Sequence, residues 1–211
     1  QSKVILSATA LLITIPAFLF YLTDFADLPV GERALASLFQ AVTPRTAGYN
    51  TVDLTKMSDT SQAVTILLML TGGSTAGGMK VTTLAVLIAN AAAAFHRRED
   101  SRLFDRRLDY SAVRNAAAIL LLYLSLTFVG AAVISEGEGL PLGACLYETA
   151  SAAGTVGLTL GLTPQLGTLS QSILILLMFF GRVGGLTLIY AAFSGHDLTY
   201  ARYPKEMITV G

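Results

Sequence analysis

Apolar residues run almost unbroken through Val4–Leu22, Ser61–Phe95, Val113–Ile134 and Ser170–Phe193, and the polar residues collect between these runs. A helix needs about 20 residues to cross a hydrocarbon core, so each run predicts a spanning helix. The second is too long for one crossing, because its 35 residues would make a continuous helix of roughly 52 Å. Its middle reads GGSTAGG, a composition that destabilises helix, so a break is expected there. Two shorter segments, about Glu32–Thr43 and Leu142–Ser151, reach only part of a spanning length and cannot cross. They are expected to re-enter from the side they left as half-helices, with Pro141 suited to the start of the second. Each leads into a glycine- and threonine-containing stretch without strong helix formers, TPRTAGYNT and SAAGTVGLTLG. Irregular backbone at membrane depth survives only where protein or a water-filled cavity surrounds it.

The two halves of the chain repeat. LPVG at 28–31 returns as LPLG at 140–143, LFQ at 38–40 as LYE at 146–148, and TAG at 46–48 as TVG at 155–157. Beyond the glycine the register is fixed: Gly48, Ser61, Gln62, Met69 and Gly72 return as Gly157, Ser170, Gln171, Met178 and Gly181, each 109 positions later. The pattern predicts an all-α integral membrane protein of two helix, half-helix, helix units, covering residues 1–95 and 110–211 and joined by a linker at 96–109.

Composition agrees with this class, since 53% of residues are hydrophobic and only 13% are charged. The run from Val4 lacks the basic flank and small-residue cleavage site of a secretory leader, so it is read as a spanning helix of a longer chain. The single cysteine, Cys145, excludes an intrachain disulfide, and His96 and His196 have no companions at metal-ligand spacing. Neither a Ser/His/Asp set nor paired carboxylates appear within the apolar runs, so no enzyme is expected, and no nucleic-acid partner. Basic residues set the orientation: Arg97, Arg98, Arg102, Arg106, Arg107 and Arg114 place the linker in the cytoplasm, with the C-terminal tail on the same side. Segments 23–60 and 135–169 then face outward, where their excess of carboxylates over Arg33, Arg45 and Lys56 would concentrate cations.

A half-helix ending at mid-membrane directs its partly negative carbonyl end at the pore axis. The stretches behind the half-helices are expected to continue in extended form with carbonyl oxygens turned inward, replacing a hydration shell as potassium filters do. GGSTAGGMKVTT fails as a phosphate-binding loop: Gly78 stands where the lysine belongs, Lys80 comes two positions late, and Val81 replaces the hydroxyl residue. It remains open as a helix-packing face of small residues or as a functional loop. Arg182, near the middle of the last apolar run, is either a structural partner for the carbonyls of a broken helix or a functional charge.

Two such units, with TAGYN and TVGLT behind the half-helices, GGSTAGGMK breaking one following helix and GRVGGLTL in the other, resemble the Trk/Ktr/HKT superfamily of potassium transporters, and most closely a Ktr-type membrane subunit. The resemblance covers essentially the whole chain and matches the third and fourth of that family's four repeats. It implies a plasma (inner) membrane, multi-pass protein embedded in the lipid bilayer, completed by the missing first two repeats. It also implies a homodimer over a cytosolic ring of nucleotide-binding regulatory subunits. The transported ion would be K+, with Na+ an alternative, and no cofactor is implied. Thr46, Ala47, Gly48, Tyr49 and Asn50 would form one filter segment, and Thr155, Val156, Gly157, Leu158 and Thr159 another. Gly72, Gly73, Ser74, Thr75, Ala76, Gly77, Gly78 and Lys80 would form an intramembrane gating loop below the filter, with Arg182 a fixed positive barrier to the passing ion. The alternative function is a non-conducting assembly subunit or an isolated half of a transporter.

Overall fold

The computed structural model describes residues 2–72, 77–98, 100–104, 106–184 and 187. The protein is mostly helical. Helix α1 (Ser2–Thr23) is followed by the short α2 (Val30–Val42), then α3 (Asp59–Thr71) and α4 (Val81–Phe95). After the linker come α5 (Tyr110–Glu138), the short α6 (Leu142–Ala153) and α7 (Thr168–Val183). Helices α1 and α5 have mean hydropathies of 2.2 and 2.4 over spanning-length windows and are long enough to cross a membrane. The second apolar run is divided: α3 stops at Thr71 and α4 starts at Val81, with the glycine cluster between them. Gly73, Ser74, Thr75 and Ala76 lie outside the described residues, as does the C-terminal tail.

Both short helices begin behind a proline in extended geometry, Pro29 (ψ 146°) and Pro141 (ψ 131°). Helix α2 packs chiefly on α1, and α6 on α5 and α7. The halves meet where α3 packs on α6 and α4 on α5. One buried cluster crosses that boundary, joining Phe20, Ala41, Leu68 and Met69 of the first half to Tyr147, Val156 and Leu158 of the second. Close packing of this kind, by many small van der Waals contacts, anchors the irregular stretches to the helices.

The same closure recurs at the end of each half remote from the linker. Asp24, just past α1, accepts from the Ser58 backbone N–H at 2.7 Å and from the Ser61 hydroxyl at the start of α3. Glu138, at the end of α5, accepts from the Gly167 N–H at 2.8 Å and the Ser170 hydroxyl at 2.6 Å at the start of α7. Each carboxylate satisfies N–H and hydroxyl groups at a helix N-terminus, where the dipole also favours an anion. At Asp24 burial alone would raise the pKa, but hydrogen bonds from Ser61, Thr23 and Ser58 outweigh it and hold the carboxyl below its ordinary value.

The basic linker contains an element that periodicity did not predict, a tight antiparallel pair of strands, β1 (Arg102–Leu103) and β2 (Arg106–Arg107). Arg107 pairs with Asp100 at 2.8 Å, and Ser101 donates to Asn90 of α4 at 2.9 Å, which ties the hairpin to the helical body.

Candidate functional site

The chain turns sharply at the foot of each short helix. Gly154 N–H donates to the Ala150 carbonyl at 2.8 Å and Val156 N–H to Ser151 at 2.9 Å, while Ala47 and Gly48 N–H both donate to the Thr43 carbonyl at 3.1 Å. Neither turn leads into a regular strand. Positive φ occurs at Thr46 (70°) and Gly48 (73°), and again at Thr155 (56°) and Gly157 (94°), with the residue between each pair on the ordinary side. In a plain extended strand successive carbonyls face opposite ways, whereas alternation between left- and right-handed dihedrals turns them toward one side. The two stretches therefore differ from the expected extended form, and they differ in the same way at positions 109 apart. Threonine in the left-handed region is strained by about 1–2 kcal/mol, a cost that surrounding structure must hold in place.

The segments touch. A Cβ at Gly48 would sit 2.1 Å from the Val156 carbonyl oxygen, so only glycine allows this approach. At Gly157, by contrast, nothing in the described structure lies within 4 Å of an added Cβ. Tyr49, Asn50 and Gly157 are exposed, whereas Val156 and Leu158 are buried. The Tyr49 carbonyl accepts from the buried Thr43 hydroxyl at 2.6 Å, which commits one of its lone pairs to the half-helix behind it.

The helices α3 and α7 supply the floor. A Cβ at Gly72 would meet the Arg45 Cα at 2.8 Å, and one at Gly181 would meet the Ala153 carbonyl oxygen at 2.2 Å. Each helix thus closes on the turn below its own half-helix through a glycine at the same register. Gly78 N–H donates to the Gly181 carbonyl at 3.1 Å, and Gly77 packs so closely that an added Cβ would lie 3.1 Å from the Thr155 methyl carbon and 3.2 Å from the Arg182 Cα. The described end of the glycine-rich stretch, Gly77–Gly78, therefore lies against the start of the second segment. Arg182 lines two cavities at once. One, of about 550 Å3, runs along Thr155–Thr159; the other, of about 580 Å3, is lined by Gly77–Lys80 and the start of α4. Lys80 is exposed at the entrance to α4, while the neighbouring Met79 is buried against Tyr123 and Ala153.

Arg45 is a residue whose place sequence reasoning missed. Counted by its position in the chain it belongs to an outward segment, yet its guanidinium donates to Thr9 of α1 at 3.3 Å, and its Cα lies against the far end of α3. Its Nε is buried without a hydrogen-bond partner among the described residues. The available signal was its adjacency to TAG, which places a charge at the foot of a half-helix. Among the described residues no group of three or more His, Cys, Asp or Glu is arranged to hold a metal ion.

The family model for TrkH, described as a cation transport protein, matches residues 2–197. The chain belongs to the TrkH family. It is 34% identical over its whole length to the Ktr system potassium uptake protein B of Bacillus subtilis, and it covers 49% of that protein. It is 38% identical to the potassium/sodium uptake protein NtpJ of Enterococcus hirae, covering 50% of it, and 32% identical to the Ktr system potassium uptake protein B of Vibrio alginolyticus, covering 48%. The chain therefore spans about half the length of these relatives. The TrkH match carries the resemblance drawn from TAGYN, TVGLT and the glycine-rich breaks, and it places the chain in a family of cation transport proteins, alongside relatives of the Ktr type.

Proposed function

We propose that the two irregular segments, 46–50 and 155–159, form half of a carbonyl-lined K+ filter through which the full-length protein takes up potassium. The observation that carries this reading is the matched alternation of dihedral sign at Thr46/Gly48 and Thr155/Gly157, directly behind two half-helices and in mutual contact. Alternation brings successive carbonyl dipoles to one side, the arrangement that substitutes for water around a bare cation. Names of relatives supply the ion: potassium for the Ktr proteins, potassium and sodium for NtpJ. Two further repeats would complete the ring, giving four segments around one axis.

On this reading the chain comprises two units, 1–95 and 110–211, with the 96–109 linker and the tail in the cytoplasm and the Asp24 and Glu138 caps at the outer surface. The loop 72–80 and Arg182 lie below the filter and limit passage. The packing of Gly77 against Thr155 supports the first assignment, and the position of Arg182 between two cavities supports the second. The Arg-rich hairpin and the tail are the surfaces assigned to a cytosolic regulatory ring, and the complete subunit is assigned to a homodimer. The test is ion uptake by the full-length gene in cells lacking their own potassium uptake, with and without Gly157→Ser. Potassium and sodium kinetics unchanged by that substitution overturn the filter assignment.

A further inference from the structure

Glu148 is buried in α6, with 4% of its surface exposed, and three groups from one short stretch donate to it. Thr159 Oγ1 and Leu160 N–H donate to Oε1 at 2.7 and 2.9 Å, and Thr163 Oγ1 donates to Oε2 at 2.6 Å. The Thr159 hydroxyl in turn accepts from the Gly161 N–H at 2.9 Å. One helical turn later, on the same face of α6, the Ser151 hydroxyl accepts from Gly157 N–H at 3.1 Å. A rigid half-helix therefore grips the second segment at two points, in its middle and at its outer end.

The first half lacks this grip. Gln40 occupies the matching place in LFQ, is wholly buried, and has no partner on either Oε1 or Nε2 among the described residues. Its segment is held instead by Thr43, through the Tyr49 carbonyl. The two segments are thus anchored by different chemistry, a buried carboxylate gathering donors in one and a hydroxyl engaging a carbonyl in the other.

We infer that Glu148 is a positioning residue that fixes the outer end of the 155–159 segment and thereby sets K+ affinity at the mouth. This rests on the filter reading above. The carboxylate contributes by geometry: it gathers the donors of residues 159–163, leaving the backbone of 155–158 no freedom to turn about its outer end. Glutamine can keep that geometry. Its carbonyl oxygen accepts from Thr159 and Leu160, and its amide donates to Thr163, whose hydroxyl turns to accept. Alanine loses all three bonds.

The experiment is potassium and sodium uptake by the full-length protein in cells without their own potassium uptake, with rates divided by the amount of assembled complex. Glu148→Ala is expected to raise the K+ KM about tenfold or more, the worth of one or more hydrogen bonds to a charged group, with a smaller change in maximal rate. It should also reduce the preference for K+ over Na+. Glu148→Gln should restore both toward the native values. If Glu148→Ala does not assemble, Thr163→Val decides, since it removes only the Oε2 bond: a raised K+ KM supports positioning and an unchanged one overturns it. Glutamine as harmful as alanine also overturns it, because the contribution would then be charge alone. Gly157→Ala separates this inference from the reading beneath it. A KM shift with Gly157→Ala but none with Glu148→Ala removes the positioning role and leaves the filter; no shift in either removes the filter.

Discussion

Gly48 offers the most direct test of how the two segments meet. Replacing it with alanine places a methyl group 2.1 Å from the Val156 carbonyl oxygen, whereas real Cβ atoms stay beyond 3.0 Å of their neighbours. The oxygen or the whole segment must then retreat by roughly 1 Å, in an interior packed about as densely as an organic crystal. To this is added the cost of holding alanine at φ 73°, about 1–2 kcal/mol. On the filter reading proposed above, a carbonyl moved that far is lost as an ion ligand. If its loss is comparable to losing a hydrogen bond to a charged group, about 1.5–3 kcal/mol, K+ affinity falls by about tenfold to a hundredfold. Gly157→Ala carries the dihedral strain without a clash inside this half, since nothing described lies within 4 Å of the added carbon. Gly48→Ala should therefore raise the K+ KM more than Gly157→Ala does. Rubidium-tracer uptake by the full-length protein, normalised to assembled complex, reads both values. An assembled Gly48→Ala protein with native KM would show that the Gly48–Val156 contact lies off the ion path and would refute the argument.

Three other outcomes are expected. Arg182→Gln should increase flux per assembled complex and Arg182→Lys should stay nearer the native rate, because a unit charge about 6 Å from a K+ ion repels it by roughly 3 kcal/mol at an effective dielectric near 20; slower flux per complex in the glutamine variant would instead make Arg182 a structural tie. Deleting residues 72–78 should raise maximal uptake with little change in K+ KM, and an assembled deletion with unaltered rate would reduce the loop to helix packing. For the Asp24 cap, a folded pKa below the ordinary value of 3.8 means stabilisation that is present above that value and is lost as the pH falls through the lower, folded pKa. The thermal midpoint of detergent-solubilised protein should drop as the pH falls below 3.8, and Asp24→Asn should flatten that drop; equal slopes would rule the cap out as its source.

Hydropathy and glycine carried much of the architecture. The half-helices start within two residues of their expected positions in the first repeat and coincide in the second, because a proline and a change in hydropathy mark their starts locally. The interruption between α3 and α4 was legible for the same reason, since glycine disfavours helix whatever surrounds it. Gly72 against Arg45 and Gly181 against Ala153, 109 positions apart, both close on the turn behind a short helix, whereas Gly48 against Val156 and the open surroundings of Gly157 differ at the same spacing. Interactions that join distant parts of the chain left no local trace. Asp24 reaches Ser58 across 34 positions and Glu138 reaches Gly167 across 29, and neither spacing belongs to any helical or strand period. The depth of Arg45 was hidden because a charge in a polar segment reads as exposed, and only the descent of α2 carries it inward. The sign of φ was equally illegible at Thr46 and Thr155, where the side chain gives no warning of a left-handed backbone.

Two kinds of surface on this half lead to the same requirement. Large side chains such as Leu11, Phe18, Leu121 and Phe128 are exposed on α1 and α5, as lipid contact permits. Also exposed are Tyr49, Asn50, Gly157 and Arg182, which belong to the segments and their floor. On the filter reading, carbonyls turned toward an ion path cost several kcal/mol each where hydrocarbon meets them, so this second face is unstable against lipid. It must meet water or further protein. Were it to meet water alone, two segments would leave half of each ion's shell to solvent, and the dehydration on which K+ selectivity depends would not occur. Further protein bearing two more segments satisfies both the energetic and the selective requirement. Reconstituting residues 1–211 alone is therefore expected to give folded protein without selective flux, and selective flux should appear only when two complementary segments are supplied in the same chain or by co-assembly. Potassium-selective flux from the isolated half would refute the four-segment ring.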